Sequence, residues 1–339
     1  MDFTPPPGLD LSESKRANLY AAYSSTYGLA VVAVVLRLLC RTRVSKVGLW
    51  WDDYLICIAL LAMVTGEYID MIIWVYRGVG THIYPLGMTG FSNFFINLFV
   101  CEIFYTLSIC LTKYSILMFY WRIFGTTNIR IPIYVIFFLV TGWGLGVIFT
   151  TIFQCLPIRG FWDKSLNPHC GVDVNQFFIG NAVPNIITDW ALLILPMPYI
   201  WRLHKNTTQK IAISSVFILG GFICVISIVR LVIMLDSYRV PSIDVTWVFI
   251  GPSTWTAVET NIGVVSACLP SLRPLLRLLD RDHGTQDSAS PPKKSAHSYG
   301  TLSSTGKRSK RSKMQNDSEL HLSTIDVTTT VDIEESYRY

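Results

Sequence analysis

Ionisable and amide side chains recur inside the long apolar stretches of this sequence, where each needs a partner or a ligand. The ionisable residues are Glu102, Asp189, Arg230 and Glu259, and the amides are Asn181, Asn185 and Asn261. An ionisable group in lipid costs at least about 2.5 kcal/mol, so such residues usually face other helices and have partners. We expect Glu102 and Arg230, which lie toward the outer side, to pair with each other or to contact a ligand.

The deeper acids are expected to form a second cluster. Asp189 and Glu259, together with Asn185 and Asn261, are placed to make one polar network between helices. Polar side chains of this kind also hold transmembrane helices together through interhelical hydrogen bonds. The residue types therefore allow either a ligand site or helix-to-helix adhesion.

Four more charged residues are expected near the membrane–water boundary. Asp52 and Asp53 open a predicted helix, where carboxylates cap free N–H groups and complement the helix dipole. A signalling role is the alternative for this acidic pair. Arg37 and Lys113 lie near inner helix ends and are expected to extend their charged ends toward water.

The pattern of histidines and aspartates does not favour catalysis. None of the six histidines lies in an apolar stretch, so a metal held by histidine is not expected within the membrane. An aspartyl protease needs two catalytic aspartates, whereas Asp189 is the only one predicted deep in a span. We expect no enzyme activity, and we assign no catalytic residue, metal ligand or cofactor.

Two of the eight cysteines, Cys155 and Cys170, fall in a polar loop. On an oxidising outer side they can form a disulfide that fixes this loop over the helix ends. Cys101, near the outer end of the third apolar stretch, is a competing partner. We predict the Cys155–Cys170 bridge, which would serve as a brace, as part of a lid over a ligand site, or as both.

The elements that position these residues are long apolar stretches. The chain is 51% hydrophobic and 15% charged, whereas soluble domains carry roughly 25% charged residues. About 20 apolar residues cross the roughly 30 Å hydrocarbon layer, and seven stretches suffice: 18–40, 53–75, 94–120, 131–153, 175–200, 211–235 and 246–270. We predict an all-α membrane protein, a seven-transmembrane helix bundle with a disordered C-terminal tail.

Lysine and arginine near the span ends predict the sidedness, because cytosolic loops carry an excess of these residues. With the N-terminus outside, eleven of them fall on inner segments and six on outer ones. An odd number of spans then leaves the C-terminus in the cytosol, and the sequons at Asn206 and Asn316 unglycosylated. We expect a multi-pass protein of the plasma membrane, with the lipid bilayer as its main partner.

This layout divides the chain into an extracellular N-terminus at 1–17, a transmembrane domain at 18–276 and a cytosolic tail at 277–339. Residues 291–314 carry seven lysines and arginines and no acidic residue, interleaved with serine and glycine. Such a segment is expected to be disordered and attracted to an anionic inner leaflet. We expect a cytosolic signalling partner for the inner face, and no nucleic-acid binding.

Several short motifs occur in a specific order over roughly residues 18–276. They are Trp51-Asp52-Asp53-Tyr54, Gly78-Val79-Gly80-Thr81-His82, Lys113-Tyr114-Ser115, Tyr120-Trp121-Arg122, Cys155 to Cys170, Asp189, Glu259-Thr260-Asn261 and Cys268-Leu269-Pro270. In these motifs the chain resembles the fungal rhodopsin-domain membrane proteins, a receptor-like group that includes proteins tied to appressorium formation. The resemblance implies seven helices and a receptor-like role, without an established ligand.

The family name does not imply photochemistry in this chain. In rhodopsins retinal is bound to a buried lysine of the last helix, and this sequence has no lysine between Lys210 and Lys293. The third stretch ends in Tyr-Trp-Arg rather than Asp-Arg-Tyr, so coupling to a G protein rests on analogy alone. We expect a sensor of an unknown extracellular ligand. The alternative is a small-solute transporter or channel, although the inverted repeats typical of many transporters are not visible.

Overall fold

The computed structural model describes residues 4–44, 46, 48–124, 129–201, 207–239 and 244–272. The predicted tail at 277–339 and the sequon at Asn206 lie outside these residues. The α-helices are α1 (Arg16–Leu39), α2 (Trp51–Met63), α3 (Ile69–Tyr76), α4 (Gly87–Phe124), α5 (Arg130–Phe153), α6 (Val174–Ile194), α7 (Met197–Trp201), α8 (Thr207–Arg239), α9 (Val245–Val248) and α10 (Ile250–Cys268). Most of the described chain is therefore helical, as its long apolar stretches predict.

A small sheet interrupts the helices between α5 and α6. Strands β1 (Cys155–Leu156) and β2 (His169–Cys170) are antiparallel, with Cys155 opposite Cys170. Two short 3₁₀ turns, Ile158–Phe161 and Lys164–Leu166, lie between the strands. We name the end of the bundle that carries this loop the outer end, and the opposite end the inner end.

Six helical segments in the described part of the chain are long and apolar enough to cross a membrane. They are Arg16–Val44, Trp51–Tyr76, Gly87–Phe124, Arg130–Phe153, Gln176–Tyr199 and Gly220–Ser237. The predicted stretch at 246–270 begins within α9 and contains the whole of helix α10, which is not among the six. Its buried residues include Ser253, Glu259, Thr260 and Asn261, and these polar groups lower the hydropathy on which the prediction of seven spans depended.

The second span is one continuous helix with a π-helical turn at Val64–Tyr68 between α2 and α3. The backbone at Gly66 lies against the Phe104 side chain of α4. A Cβ at Gly66 would come within 1.8 Å of the Phe104 Cγ atom. Only glycine therefore permits this approach of α4.

Helix α4 is also longer than its predicted span. It has 38 residues, whereas the stretch predicted at 94–120 has 27.

Candidate functional site

A network of buried polar side chains centres on Glu259 of α10. The Arg230 Nε atom of α8 lies 2.9 Å from Glu259 Oε2. The Tyr105 hydroxyl of α4 donates to the same oxygen at 3.0 Å, and Asn185 Nδ2 of α6 donates to Glu259 Oε1 at 3.1 Å. Four helices thus meet at one carboxylate that is 3% exposed.

The network continues from Asn185 toward the inner end through Lys113 of α4. The Lys113 ammonium donates to Asn185 Oδ1 and to the Thr188 hydroxyl, both at 2.6 Å, and lies 3.0 Å from Asp189 Oδ1. Ser227 of α8 donates to the other Asp189 oxygen at 3.1 Å. The expectation that Lys113 reaches water was wrong, because these partners satisfy its charge inside the bundle.

The structure brings together only some of the polar residues singled out from the sequence. Asp189, Asn185 and Glu259 share the network, but Arg230 is ion-paired to Glu259 rather than to Glu102. Asn261 does not join it and instead donates to Thr26 of α1 at 3.2 Å and to the Ala257 carbonyl at 2.7 Å. Two residues turn a helix by about 200°, so Asn261 faces a different neighbour from Glu259.

An outer cavity of about 440 Å³ is bordered by Arg230 and Tyr105, the two residues that contact Glu259 Oε2. Glu102, Tyr105, Asn181 and Arg230 line it together with Cys101 and several aromatic side chains. Glu102 and Arg230 therefore border one space, as their position in the sequence suggested, without forming an ion pair there. Cys101, the competing disulfide partner, is a free thiol in this wall.

Two further cavities of about 380 and 540 Å³ follow the network inward. Lys113, Asn185 and Glu259 line the first, and Ala267 and Pro270 line the second. Both are bordered by Asp189, which joins them. The inner part of the polar network is thus bordered by two adjoining cavities, which share no lining residue with the outer cavity.

An arginine–aspartate cluster ties the inner ends of α1, α2 and α10. Arg37 Nε donates to Asp53 at 2.8 Å, its Nη2 donates to Asp52 at 2.6 Å, and its Nη1 donates to the Ala267 carbonyl at 2.7 Å. Arg41 contacts both aspartates as well. Arg37 is completely buried, so the expectation that it extends to water was wrong.

The acidic pair does more than cap its helix. Asp53 accepts a hydrogen bond from the Trp50 amide at 3.2 Å, as expected of a carboxylate in the first turn. Both aspartates, however, direct their main interactions to Arg37 and Arg41. Ser115 of α4 also donates to the Asp52 carbonyl at 2.6 Å, so the cluster reaches a fourth helix.

Two buried carboxyl groups were missed by the sequence analysis. Glu67 lies in the π-helical turn and accepts a hydrogen bond from Thr260 of α10 at 2.8 Å, while Asp70 follows in α3. Both are at least nine-tenths buried. Their presence in the second apolar stretch was the available signal, because acidic residues there need the same explanation as Glu102.

The loop between α5 and α6 covers the outer end beside α4. Its Cys155 and Cys170 Sγ atoms are 1.95 Å apart, which is a disulfide. Ser92 of α4 donates to the Trp162 carbonyl at 2.9 Å, and Phe161 packs edge-on against Phe95 with ring centroids 5.2 Å apart. The loop is therefore anchored to α4 by contacts as well as by its own bridge.

A second outer contact joins three segments that are distant in sequence. His82 Nδ1 is bonded to the Asp244 carboxylate, whose other oxygen accepts from the Ile83 amide at 2.9 Å. The His82 ring stacks on Trp247, with 4.2 Å between the ring centroids. The ammonium of Lys15, which precedes α1, lies 3.9 Å from the centroid of the same indole ring. These contacts hold the loop after α3 against the start of α9.

No group of three histidine, cysteine or carboxylate side chains able to hold a metal occurs among the residues that the structure describes. A family model described as the fungal rhodopsin domain matches residues 36–278. The chain belongs to this family. The fungal rhodopsin domain begins within α1 and extends beyond α10, so it contains the network and the inner cluster.

The chain is similar to several curated fungal proteins, among them "Polyenoic acids biosynthesis gene cluster protein Ba17b" of Metarhizium anisopliae. The two are 28% identical over 73% of this chain and 70% of that protein. It is 28% identical to "SAT4 family membrane protein" of Emericella nidulans, over 52% of this chain and 44% of the relative. It is 27% identical to "Receptor GIN3" of Arthrobotrys oligospora, over 52% and 42%.

The chain thus spans less than half the length of the latter two relatives. No solved structure matches it.

Proposed function

We propose that this membrane protein is a seven-helix receptor of the plasma membrane that senses a small extracellular molecule. Helix α10 is the seventh span in this proposal, the N-terminus is outside and the tail is in the cytosol. The role is one of binding and signalling, without catalysis. The ligand enters the outer cavity, and the inner face reports its presence to a cytosolic partner.

The observation that carries this proposal is the connection between the two ends of the bundle. Arg230 borders the outer cavity and holds Glu259, which is linked through Asn185 and Lys113 to Asp189. The cavity below Asp189 reaches Ala267, whose carbonyl is bonded by Arg37 of the inner cluster. Ion pairs and hydrogen bonds therefore connect Arg230 to Asp189, and one cavity separates Asp189 from the carbonyl that the inner cluster binds.

The proposed signal is a shift between two arrangements of these ion pairs. A ligand that contacts the Nη2 atom of Arg230 shares the guanidinium with Glu259, weakens the pair between Nε and Oε2, and so favours a state in which α8 and α10 have moved apart. A ligand shifts such an equilibrium only by its difference in affinity for the two states. The buried pair supplies that difference, because its strength depends strongly on geometry in a medium of low polarity.

The names of relatives support this proposal from two directions. One is named a receptor. Others are named for biosynthesis clusters, of polyenoic acids in one case and wortmanamides in another. We take the first as support for a sensing role, and the second as support for a small organic compound as the molecule sensed.

The proposal is tested with the full chain in lipid nanodiscs, carrying an environment-sensitive dye at the exposed inner position created by Arg43→Cys. An organic extract of fungal culture medium is added, and dye fluorescence and thermal stability are recorded. A fluorescence change that Lys113→Gln abolishes, while stabilisation by the extract persists, supports the receptor. Movement of solutes from the same extract into liposomes that contain the protein, with no fluorescence change, would instead establish a transporter.

A further inference from the structure

Four buried polar atoms without a hydrogen-bond partner occur on residues that line the outer cavity. They are Trp74 Nε1, Glu102 Oε2, Asn181 Oδ1 and Arg230 Nη2, from α3, α4, α6 and α8. Each of these side chains is more than nine-tenths buried. A buried polar atom without a partner costs about 1–3 kcal/mol. The location of four such residues around one cavity therefore favours a bound molecule that supplies the partners.

The chemistry of the four atoms restricts that molecule. Trp74 and Arg230 present N–H donors, whereas Glu102 and Asn181 present acceptor oxygens. A matching ligand must therefore offer an acceptor oxygen to one pair and a hydrogen-bond donor to the other. A simple anion lacks the donor, and a simple amine lacks the acceptor.

Charge and shape narrow the class further. Glu259 already balances the charge of Arg230 through the Nε atom, and Nη2 is left without a partner. Nη2 can therefore donate to a neutral oxygen or to a singly charged carboxylate. A doubly charged phosphate is a poor match, because the second charge would have no counterion. The remaining wall includes Tyr23, Phe178 and Phe249, whose rings favour a flat apolar body.

We propose that the outer cavity binds a small planar hydroxy acid. Its carboxylate accepts from Arg230 and Trp74, and its hydroxyl donates its one hydrogen to Asn181. This identifies a ligand class for the proposed receptor and rests on that proposal for its cellular meaning, but binding itself does not depend on signalling.

Cys101 provides a reporter inside the same wall. It is a free, half-buried thiol, and a molecule in the cavity shields it from alkylation. Cys57, a free and half-buried cysteine outside the cavity, is the internal control. The full chain in nanodiscs is treated with N-ethylmaleimide, and labelling of both cysteines is followed by peptide mass spectrometry.

The probes are 4-hydroxybenzoate, benzoate and 4-hydroxybenzyl alcohol. The second lacks the hydroxyl donor and the third lacks the carboxylate. We expect 4-hydroxybenzoate to slow labelling of Cys101 but not of Cys57, and each analogue to need about tenfold higher concentration for the same effect, which corresponds to about 1.4 kcal/mol. In the Asn181→Leu variant, 4-hydroxybenzoate should need the same concentration as benzoate to slow the labelling of Cys101.

Asn97→Leu is the matched control variant, because Asn97 is a buried amide that does not line the cavity. It should leave protection unchanged. Absence of protection by all three probes, or equal protection that Asn181→Leu does not alter, would overturn the proposal and leave a cavity that holds only water. If the dye responds to culture extract but 4-hydroxybenzoate does not protect Cys101, this ligand class is wrong and the receptor proposal is retained. If 4-hydroxybenzoate protects Cys101 but the dye does not respond, the ligand class is retained and the receptor proposal is wrong.

Discussion

Arg230 of α8 and Glu259 of α10 form an ion pair with 2.9 Å between Nε and Oε2, and their side chains are 4% and 3% exposed. Neither charge has water to compensate it if the other is removed. Glu259 also receives hydrogen bonds from Tyr105 and Asn185, which fix the carboxylate between three other helices. The pair is therefore the point at which a change in the outer cavity would first reach the polar network.

Removal of either charge should destabilise the protein more than removal of both. Arg230→Gln or Glu259→Gln leaves an uncompensated buried charge, and each should lower the free energy of unfolding by about 3–5 kcal/mol. The double variant should lose clearly less than the sum. SDS-induced unfolding of the four proteins gives the coupling energy, with Arg43→Gln as an exposed control. Additive losses would mean that the two charges are not coupled.

A lysine should not replace Arg37 in the inner cluster. Arg37 directs three separate N–H groups to Asp52, Asp53 and the Ala267 carbonyl, and the compact ammonium of lysine cannot cover the same three acceptors. Arg37→Lys should lower the free energy of unfolding by about 1–3 kcal/mol, although the charge is kept. Arg43→Lys at an exposed position of the same helix end should change it by less than about 0.5 kcal/mol. Equal stability of the two variants would contradict the forked geometry.

Contact between the second span and α4 should require a glycine. Gly66→Ala would place a methyl group against the Phe104 ring, and overpacking of this kind costs about 1–3 kcal/mol. Gly28 lies in α1 with open space around its added Cβ, so Gly28→Ala should be neutral or stabilising by up to about 1 kcal/mol. Thermal unfolding in detergent checks the pair. A tolerated Gly66→Ala would show that the helices separate easily at this point.

The helices themselves could be predicted because hydropathy along the chain reports the length of each apolar run directly. The stretch predicted at 131–153 is helix α5, Arg130–Phe153, within one residue. Helix α10 shows the limit of the same signal, since a helix surrounded by other helices can carry polar groups on several faces. Its contacts with α1, α4, α6 and α8, not its composition, explain how Glu259 and Asn261 are accommodated.

The partners of the charged residues could not be predicted in the same way. Arg37 and the Ala267 carbonyl are 230 residues apart, and hydropathy indicates depth along a helix rather than the direction in which a side chain points. For this reason Arg37 and Lys113 were expected to reach water, although both have partners inside the bundle. The Arg230–Glu259 pair was not predicted for the same reason. Glu102 was expected to pair with Arg230 because the two residues have a similar depth, but they line the outer cavity without contacting each other, and Arg230 pairs with Glu259 instead.

The sidedness of the protein remains a prediction from its basic residues, and one substitution in the loop between α5 and α6 tests it. Asp163 caps the 3₁₀ turn Lys164–Leu166 and accepts hydrogen bonds from the hydroxyl and the amide of Ser165, at 2.6 and 3.1 Å. These bonds lower the pKa of the Asp163 carboxyl. Asparagine is an equally good cap, so the loop should tolerate the replacement.

Asp163→Asn creates a glycosylation sequon over residues 163–165, next to the exposed Ser165. If the loop is outside the cell, expression in a fungal host should give a product that carries one additional glycan, removable by a glycosidase. The natural sequon at Asn206 is predicted to be cytosolic, so the unsubstituted chain should show no shift and serves as the control. A glycan at Asn206 in both proteins, with none at position 163 of the variant, would reverse the proposed orientation. Oligosaccharide is transferred only on the luminal side, and the two sites are predicted to lie on opposite sides of the membrane.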